Sequence, residues 1–434
     1  MTHIAMVGTG HVGLATAVAF TEWGHEVVGA DIDGKIVDDL RAGKTTHYEP
    51  ELPEALARSL RAGRLSFTTD VEGAARQADS VFLSVGTPSR KDGSIDLTYV
   101  RKAAQTVGRA LGSVEGYKVV IVKSTVLPGT TDGVLRPALE KTSKKKAGPG
   151  FGLGVNPEFL REGSAVQDAL HPDRVVIGAI DDRSRQALEA IYSSIHAPTM
   201  ATSLRTAEMV KYATNAFLAT KVSFANELAN LCDAFEGINV DDVVEGMGLD
   251  PRINPKFLRA GLGFGGSCFP KDVYALVAEG RAKGYRARIL TAVLGLNDSQ
   301  PLRAVTLTEA ALGSLRGKRV AILGLSFKGG SDDIRESRAI PLVRALLRKG
   351  AKVVGYDPVV RDVFGDEVPG VEIAGDLRSA LARADACIVH NDWPVWRELT
   401  AADFRGMRQK VVIDGRRILN RRALEGMRLV VLGG

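Results

Sequence analysis

The stretch HIAMVGTGHVG, residues 3–13, decides the fold of this chain. A short apolar run is followed by Gly8, Gly10 and Gly13, spaced as G-x-G-x-x-G. The run predicts a strand, and the glycines predict a tight turn into a helix whose first amide groups face the turn. The second glycine lets the backbone approach a pyrophosphate, and the third allows the helix to pack closely. The stretch therefore predicts a dinucleotide-binding βαβ unit.

Asp31 lies at the end of the next predicted strand, within EVVGADID (26–33). A carboxylate at this distance from the glycines suits the ribose 2′-hydroxyl and repels a 2′-phosphate. The pattern predicts NAD, in preference to NADP, as the cofactor.

The pattern of predicted secondary structure changes twice beyond this unit. Short β-rich runs alternate with helical stretches at first, and an almost continuous helical stretch follows from about 203 to 297, including a helix predicted over 206–237 with Gly237 as its cap. Strand-like runs then return, and KVVGYDPV repeats the pattern of EVVGADID. This order predicts an α/β protein with two Rossmann-like doubly wound domains, joined by a helical central domain with a long connecting helix. The predicted domains span residues 1–202, 203–299 and 300–434.

Composition excludes several classes of protein. The chain is 45% hydrophobic and 25% charged, as in soluble globular proteins, and it has a formal charge of +6. No basic stripe with interleaved aromatic residues and no membrane-length apolar run is present, so neither nucleic acid nor a membrane is expected as a partner. The three cysteines form no ligand pattern, so no metal is expected. With no signal peptide recognisable, a cytoplasmic location is predicted.

The stretch GFGGSCFPKD, residues 263–272, points to a nucleophile. Its three glycines are expected to leave room for a substrate to reach Cys268. Pro270 suits the first turn of a helix, so Cys268 would lie at a helix N-terminus, where the dipole and the Lys271 ammonium favour a thiolate. Asp272, four residues beyond the cysteine, can reach the same side of the turn. A buried apolar cysteine is the alternative, and it is the interpretation favoured for Cys232 and Cys387.

A nucleophilic cysteine beside a nicotinamide indicates a definite chemistry. A thiolate captures an aldehyde as a thiohemiacetal, hydride loss gives a thioester, and water releases the acid. Oxidation of a simple alcohol needs no such nucleophile.

Other polar residues suit this scheme, each with a simpler alternative. Lys211 and Asn215 are spaced i, i+4 on the predicted long helix and could stabilise an oxyanion, or they could be an exposed helical pair. The stretch VNPEFLREG (155–163) ends a strand at the sheet edge where ligands bind, which makes Glu158 a candidate base for water and places Glu162 near the cofactor. KSTVLPGT ends a neighbouring strand. Ser124 and Thr125 could contribute hydroxyl groups there, or merely cap a turn.

The sequence resembles the family of UDP-glucose and GDP-mannose dehydrogenases. The motifs GxGxVG, KSTV, NPEFLREG, KYATNAFLATK, FGGSCFPKD and FKxxxDDIRES occur in the family's order, from residue 3 to about 420. His11 departs from the family pattern, which usually has tyrosine. The resemblance implies NAD-dependent, four-electron oxidation of UDP-glucose to UDP-glucuronate by a homodimer joined through the long helix.

The resemblance also implies residue roles. Cys268 would be the nucleophile, and Lys211 and Asp272 would serve the first oxidation with a bound water and stabilise oxyanions. Glu158 would assist thioester hydrolysis, Thr125 would support the water, and Asn215 would hold the oxyanion. The implied substrate-binding residues are Glu158, Phe159, Leu160, Arg161, Lys211, Asn215, Arg252 (across a dimer interface), Phe257, Leu258, Arg259, Gly265, Lys328 and Arg416. The expected cofactor-binding residues are Gly8, Gly10, His11, Val12, Gly13, Asp31, Gly86, Thr87, Pro88, Ser124, Glu162, Lys271 and Arg335.

Three alternatives remain open from the sequence. GDP-mannose or another nucleotide sugar could replace UDP-glucose, because the base pocket is not readable from spacing. A two-electron β-hydroxyacid dehydrogenase has a similar architecture but needs no cysteine. A nucleotide-sensing module without catalysis would not need the nucleophile, lysine, amide and carboxylate together.

Overall fold

The computed structural model describes residues 1–235 and 237–434, which form two compact units, Met1–Thr214 and Asn215–Gly434. The strands of the first unit are β1 (His3–Val7), β2 (Glu26–Ala30), β3 (Leu65–Thr68), β4 (Ser80–Leu83), β5 (Val119–Val122), β6 (Gly152–Val155), β7 (Val175–Ala179) and β8 (Thr199–Thr202). The helices up to β8 are α1 (His11–Glu22), α2 (Gly34–Arg41), α3 (Leu52–Arg61), α4 (Val71–Gln77), α5 (Thr98–Gly112), α6 (Arg136–Ser143), α7 (Ala165–Leu170) and α8 (Asp182–Ile191), with a π-helical segment at Thr131–Leu135.

The eight strands form one sheet in the order β3-β2-β1-β4-β5-β6-β7-β8. All neighbouring pairs are parallel except β6 and β7, which are antiparallel. Strand order reverses between β1 and β4, and ligands bind at such a switch point in open α/β sheets.

Apolar side chains on both faces of this sheet explain why it is covered by helices. Along β1, Ala5 and Val7 belong to one buried cluster, and Ile4 and Met6 belong to another. Alternate residues of a strand point to opposite faces, so both faces of the sheet are buried.

The long helix α9 runs from Leu204 to Ala234. It ends before Gly237, where the sequence predicted its cap, although Gly237 has the left-handed φ of +78°. The helical region continues with α10 (Val240–Gly248), α11 (Phe269–Ala282) and α12 (Arg288–Leu312).

The second unit contains a six-stranded parallel sheet in the order β11-β10-β9-β12-β13-β14. Its strands are β9 (Arg319–Leu323), β10 (Lys352–Tyr356), β11 (Glu372–Ile373), β12 (Ala386–Val389), β13 (Val411–Asp414) and β14 (Arg428–Val431). The accompanying helices are α13 (Ala339–Arg348), α14 (Asp362–Glu367) and α15 (Leu377–Leu381), with 3-10 turns at Pro394–Glu398, Asp403–Gly406 and Arg421–Leu424. Strand order reverses between β9 and β12.

The predicted fold class is confirmed: the chain has two sheets of Rossmann type and a helical region between them in sequence. The domain boundaries at 202 and 299 stay a prediction. Cys232 and Cys387 are buried, as predicted, and burial raises the pKa of the Cys387 thiol.

Candidate active site

The glycine-rich turn has the geometry of a dinucleotide site. Gly8 has a φ of +92°, and a Cβ at Gly13 would lie 2.0 Å from the Gly8 carbonyl oxygen. By contrast, a Cβ at Gly10 would meet no protein atom within 4 Å. The turn is therefore closed on the protein side and open at Gly10, where helix α1 begins and a pyrophosphate would approach. These residues fit NAD.

Asp31 is anchored beside this turn. Its Oδ2 accepts hydrogen bonds from the Thr9 backbone N–H at 2.9 Å and the Thr9 hydroxyl at 3.1 Å. The carboxylate therefore follows β2 at the position from which it can bind ribose hydroxyls.

The loops after β4 and β5 are joined to each other. The Thr87 hydroxyl donates to the Thr125 carbonyl oxygen at 2.8 Å, and the Ser124 hydroxyl donates to the Val85 carbonyl oxygen at 2.7 Å. The Ser124 side chain thus links the end of β5 to the end of β4 and does not cap a turn. The segment 86–88 follows β4 and lies at the switch point of the sheet.

His11 forms a partly buried contact that its position in the glycine motif did not indicate. Its Nε2 lies 2.9 Å from Glu49 Oε2, and its ring stacks on His47 with the centroids 4.1 Å apart. Glu49 also accepts hydrogen bonds from the backbone N–H groups of Gly163 and Ala165, each at 2.8 Å. Burial opposes the charged ring, but the hydrogen bond to Glu49 and nearby carboxylates raise the His11 pKa. Glu49 therefore ties the glycine-rich turn to the segment that contains Glu162.

Lys211 and Glu158 form a buried ion pair within the first unit. Lys211 Nζ lies 2.8 Å from Glu158 Oε1, and each side chain is 5% exposed. Burial alone would raise the Glu158 pKa, but the Lys211 ammonium, the Leu160 N–H and the Lys123 charge together hold it below its usual value. The interpretation of Lys211 as an exposed helical residue is therefore wrong, because α9 buries it against the end of β6.

The residues after Glu158 differ in their surroundings. The Phe159 ring is covered by the Arg174 guanidinium at 3.8 Å, and Lys211 Nζ lies 5.5 Å from its centre. Arg161 instead forms a two-bond pair with Asp168, at 2.9 and 2.5 Å. Of these predicted substrate residues, Phe159 is brought to the Glu158–Lys211 pair, whereas Arg161 is held by its own carboxylate partner.

Cys268 is the N-cap residue of α11, with Pro270 in the first turn, as the sequence predicted. It is partly exposed and unbonded to another cysteine, and its Sγ lies 3.6 Å from the Ser267 hydroxyl. A thiolate here would face the positive end of a 14-residue helix.

Asp272 is the centre of a small polar network beside this helix start. It is 1% exposed, its Oδ2 accepts from Asn215 Nδ2 at 2.6 Å, and its Oδ1 accepts from Lys271 Nζ at 2.5 Å. The Lys271 charge, expected to act on the thiolate, is therefore directed to Asp272. Asn215 is likewise buried, which rules out the alternative that it is an exposed helical residue.

The glycines of GFGGSC serve a different purpose from the one expected. A Cβ at Gly265 would lie 2.2 Å from the Glu336 carbonyl oxygen, and one at Gly266 would lie 2.7 Å from the Phe327 ring. A Cβ at Gly263 would meet Asn297 at 2.7 Å. The protein itself fills the space beside these glycines: Gly265 and Gly266 permit the loop 327–336 to pack closely, and Gly263 leaves room for Asn297.

The remaining substrate residues of the second unit fall into two groups. Phe257 has the unusual φ of +67°, and its ring lies 6.3 Å from that of Phe269, next to Cys268. Lys328 follows β9 and Arg416 follows β13, near the switch point of the second sheet, where Arg416 lies 3.7 Å from Asp392. Leu258 is buried and Arg259 is exposed.

Two predicted arginines lie at the surface in local pairs. Arg252 binds Asp250 at 2.6 Å with its side chain 86% exposed, and Arg335 binds Asp333 at 2.7 Å. The sites predicted for these arginines, a dimer contact and the cofactor, stay predictions.

The second sheet also has a carboxylate directly after its second strand, as the first sheet has Asp31, but this carboxylate is hydrogen-bonded to the protein itself. Asp357 follows β10, is fully buried, and accepts hydrogen bonds from the Leu325 N–H at 2.8 Å and the Trp393 indole at 3.2 Å. A Cβ at Gly324 would lie 2.0 Å from Asn391. The space that a dinucleotide would need is therefore filled with side chains.

Sequence reasoning missed Glu49 and Lys123. Lys123 stands in the quoted KSTV motif, yet only the two hydroxyl residues after it were assigned. Glu49 has no motif, and its partners lie 38 to 116 residues away. Only the fold brings them together.

Within the described ranges, 1–235 and 237–434, no helix is long and apolar enough to cross a membrane. The same residues contain no group of three His, Cys, Asp or Glu side chains that could hold a metal ion.

Three sequence models of one family match the chain. They describe the UDP-glucose/GDP-mannose dehydrogenase family and correspond to its NAD binding domain over residues 2–196, its central domain over 205–299 and its UDP binding domain over 321–421.

Individual relatives are similar over nearly the full length. The UDP-glucose 6-dehydrogenase AglM of Haloferax volcanii is 46% identical, over 96% of this chain and 97% of that protein. The UDP-glucose 6-dehydrogenase TuaD of Bacillus subtilis is 40% identical, over 97% and 90%. The structure of a UDP-glucose dehydrogenase from Pyrobaculum islandicum is 43% identical and superposes with a TM-score of 0.92, over all of this chain and 97% of that one.

The packing of the glycine loop gives a stability prediction. Gly265→Ala forces a methyl group against a backbone carbonyl, and overpacking of this kind costs about 1–3 kcal/mol. We expect a lower thermal unfolding midpoint for the full chain, measured by calorimetry. Gly246→Ala in helix α10 is the matched control, because its Cβ meets nothing within 4 Å; it should leave the midpoint unchanged or raise it. Equal midpoints for the two variants would contradict the close packing.

The His11–Glu49 pair gives a pH prediction. Since the folded pKa of His11 is raised above 6.5, its charge stabilises the fold fully below about pH 6.5, and this contribution is lost as pH rises through the raised value. We expect the gap in unfolding midpoint between the natural chain and His11→Phe to shrink from pH 6 to pH 9. Glu49→Gln should abolish the pH dependence of the gap. A gap that widens with pH would overturn the assignment.

Proposed function

Because the chain belongs to the UDP-glucose/GDP-mannose dehydrogenase family, we propose that it oxidises UDP-glucose to UDP-glucuronate, reducing two NAD. The observation that carries the proposal is Cys268 at the start of helix α11, beside the network in which the buried Asn215 and the partly exposed Lys271 both donate to the buried Asp272. A simple alcohol dehydrogenase has no use for such a cysteine. The choice of UDP-glucose is supported by the relatives named above, all of which are UDP-glucose dehydrogenases.

The NAD-binding role falls to the first sheet. The amide groups at the start of α1 would hold the pyrophosphate beside Gly10, and Asp31 would bind the ribose. Val12, Gly86, Thr87, Pro88, Ser124 and Glu162 complete the proposed site, with Lys271 and Arg335 from elsewhere in the chain. NAD, when bound, accepts a hydride in each of the two oxidations.

The first oxidation requires a proton acceptor for the sugar hydroxyl. Lys211 and Asp272, with a water molecule, are proposed to serve this step: the water passes the proton to the Asp272 carboxylate, and the Lys211 ammonium stabilises the alkoxide. The hydroxyl oxygen loses its proton, the carbon that bears it loses a hydride, and the group becomes an aldehyde. Asn215, which donates to Asp272, would fix that carboxylate and contribute to the oxyanion site.

The second oxidation and the hydrolysis require Cys268. Its sulfur adds to the aldehyde carbon, and the oxygen takes up a proton. Loss of that proton and a hydride leaves a thioester. Water then adds to the carbonyl carbon, the carbon–sulfur bond breaks, and the thiol is restored with release of the acid. Glu158 is proposed as the base for this water, with Thr125 supporting it, because Lys211 and its surroundings keep Glu158 ionised.

The UDP-sugar is proposed to be bound by the second unit. Lys328 and Arg416 at the edge of the second sheet would supply positive charge to the diphosphate. Phe257, Leu258, Arg259 and Gly265 would surround the uridine and sugar, joined by Phe159, Leu160 and Arg161. A cytoplasmic location is inferred because Cys232, Cys268 and Cys387 form no disulfide.

A homodimer through α9 is supported by an exposed apolar stripe. Phe217, Phe224 and Leu231 are spaced seven residues apart, so they lie on one face of the helix, and they are 64%, 47% and 47% exposed. Large apolar residues in a row on a soluble surface mark a contact site. The face fits a second copy of the same stripe, with Arg252 proposed to reach the partner's substrate.

Stoichiometry tests the proposed function. Purified protein with excess NAD should form two NADH and one UDP-glucuronate per UDP-glucose consumed. Cys268→Ser should lower the turnover rate by about 100-fold or more while leaving NAD affinity unchanged, because the thioester cannot form. Cys232→Ala is the control and should keep the ratio of two.

A ratio of one NADH would overturn the four-electron mechanism and favour the two-electron dehydrogenase. Turnover of GDP-mannose in place of UDP-glucose would move the proposal to the sister enzymes. Binding of both ligands without any turnover would favour a sensing module.

Charge placed on the stripe tests the dimer. Phe224→Glu should weaken self-association by at least about 30-fold, the scale of a buried aromatic contact residue, measured by analytical ultracentrifugation. Val363→Glu replaces another apolar residue, 54% exposed on α14, and should leave association unchanged. Equal effects of the two variants would exclude this face as the contact.

A further inference from the structure

A second buried lysine is hydrogen-bonded to the segment that carries Glu158 and has no role in the mechanism above. Lys123 follows strand β5 directly and is 7% exposed. Its ammonium donates a hydrogen bond to Asn156 Oδ1 at 2.8 Å. Asn156 in turn stands two residues before Glu158, so the lysine contacts the segment that presents the carboxylate.

The Asn156 side chain is fixed by three hydrogen bonds. Its Oδ1 also accepts from the Tyr192 hydroxyl at 2.5 Å, and its Nδ2 donates to the Val176 carbonyl oxygen at 3.0 Å. The amide is therefore held between β6, β7 and the residue that follows α8. It is neutral, so it satisfies a donor of Lys123 without balancing its charge.

Glu158 supplies the opposite charge. Burial lowers the Lys123 pKa to about 8, Glu158 raises it, and Lys211 lowers it. In the reverse direction, the Lys123 charge contributes to the lowered pKa of Glu158. Two buried ammonium groups thus act on one buried carboxylate, Lys211 by direct contact and Lys123 through its charge.

A third charge changes what a buried Lys–Glu pair can do. In a low-dielectric site, the lysine of an isolated pair can pass its proton to the carboxylate, which cancels both charges and removes their desolvation cost. A second ammonium beside the carboxylate disfavours this neutral state, because it stabilises the anion alone. Lys211 therefore keeps its proton, and the pair with Glu158 stays charged.

We propose that Lys123 is a positioning residue that holds Glu158 in place beside Lys211 and keeps it ionised until it accepts the proton of the hydrolytic water. This inference rests on the proposed function and adds a residue to it. Lys123 acts through Glu158 and Asn156, and it does not itself touch the substrate.

Other groups around Glu158 do not supply this charge. Tyr192 is buried, which raises its pKa, so it stays neutral. The Arg174 guanidinium lies over the Phe159 ring. His11, whose pKa is raised partly by the Glu158 charge, is paired with Glu49.

Three substitutions separate charge from hydrogen bonding at this position. Lys123→Met removes both, Lys123→Gln keeps a donor for Asn156 without the charge, and Lys123→Arg keeps the charge. We expect kcat to fall at least about tenfold in the Met and Gln variants, as for a displaced catalytic group. In both variants the acidic limb of the profile of kcat against pH should move to higher pH. The KM for UDP-glucose should stay within about twofold of that of the natural chain. The Arg variant should restore the position of that limb.

Tyr192→Phe is the matched control. It removes the other hydrogen bond to the same Asn156 oxygen and leaves every charge in place, so the acidic limb should stay where it is. An equal loss in Tyr192→Phe and Lys123→Gln would show that only the packing of Asn156 matters, and it would overturn the proposal. Wild-type kcat and pH profile in Lys123→Gln would also overturn it. If Lys123→Met does not fold, the Gln and Arg variants carry the test.

An infrared titration of the Glu158 carboxylate tests the role of Lys123 without measuring activity. The carboxylate band that Glu158→Gln removes identifies Glu158, and we expect this band to be lost at higher pH in Lys123→Gln than in the natural chain or Tyr192→Phe. An unchanged band would refute the role of Lys123. Should the natural chain not oxidise UDP-glucose, the proposed function fails, and the infrared titration still decides whether Lys123 keeps Glu158 ionised.

Discussion

The ion pair between Lys211 and Glu158, at 2.8 Å and almost without solvent, places a constraint on the whole first unit. Two charges removed from water are tolerated only in accurate geometry with their other hydrogen-bonding positions satisfied. The carboxylate comes from the end of β6 and the ammonium from α9, so the sheet and the long helix must be held in register. The Leu160 N–H on Glu158, and Asn156 bound by Lys123 and Tyr192, supply that support.

The same requirement explains how polar groups are arranged along the sheet edge. Parallel strands bring their carboxyl ends together, so segments far apart in sequence meet there. Thr87 reaches the loop after β5, and Glu49 reaches the segment after β6. Each contact joins one loop to the next, which limits the motion of the residues proposed to hold NAD and the catalytic water.

Local patterns in the sequence were sufficient for much of this arrangement. The glycine spacing, Asp31 and the proline after Cys268 are short-range signals with a direct physical meaning, and they predicted the turn, the carboxylate and the helix start correctly. Glu49 and Tyr192 carry no such signal, because their partners are distant in the chain, and Asn156 stands in the NPEFLREG motif without a role having been assigned to it. The glycines of GFGGSC were identified for the wrong reason, since a missing Cβ indicates close approach without saying whether protein or ligand approaches. Burial of Lys211 was likewise unreadable from spacing, which is the same for exposed and buried faces of a helix.

The two sheets share an order of strands, but the space at the switch point is open in the first sheet and filled with side chains in the second. Asp31 keeps its carboxylate at an open turn, whereas Asp357 is enclosed by the Leu325 amide, Trp393 and Asn391. An engineer who wished to turn the second sheet into a dinucleotide binder could not succeed by rebuilding the glycine spacing alone. Asn391 and Trp393 would have to be made smaller together, and the buried Asp357 would then lose two of its hydrogen-bond donors and keep those of Leu325 and Ser326. The second domain is thus protected against acquiring a competing cofactor by the same hydrogen bonds that hold it folded.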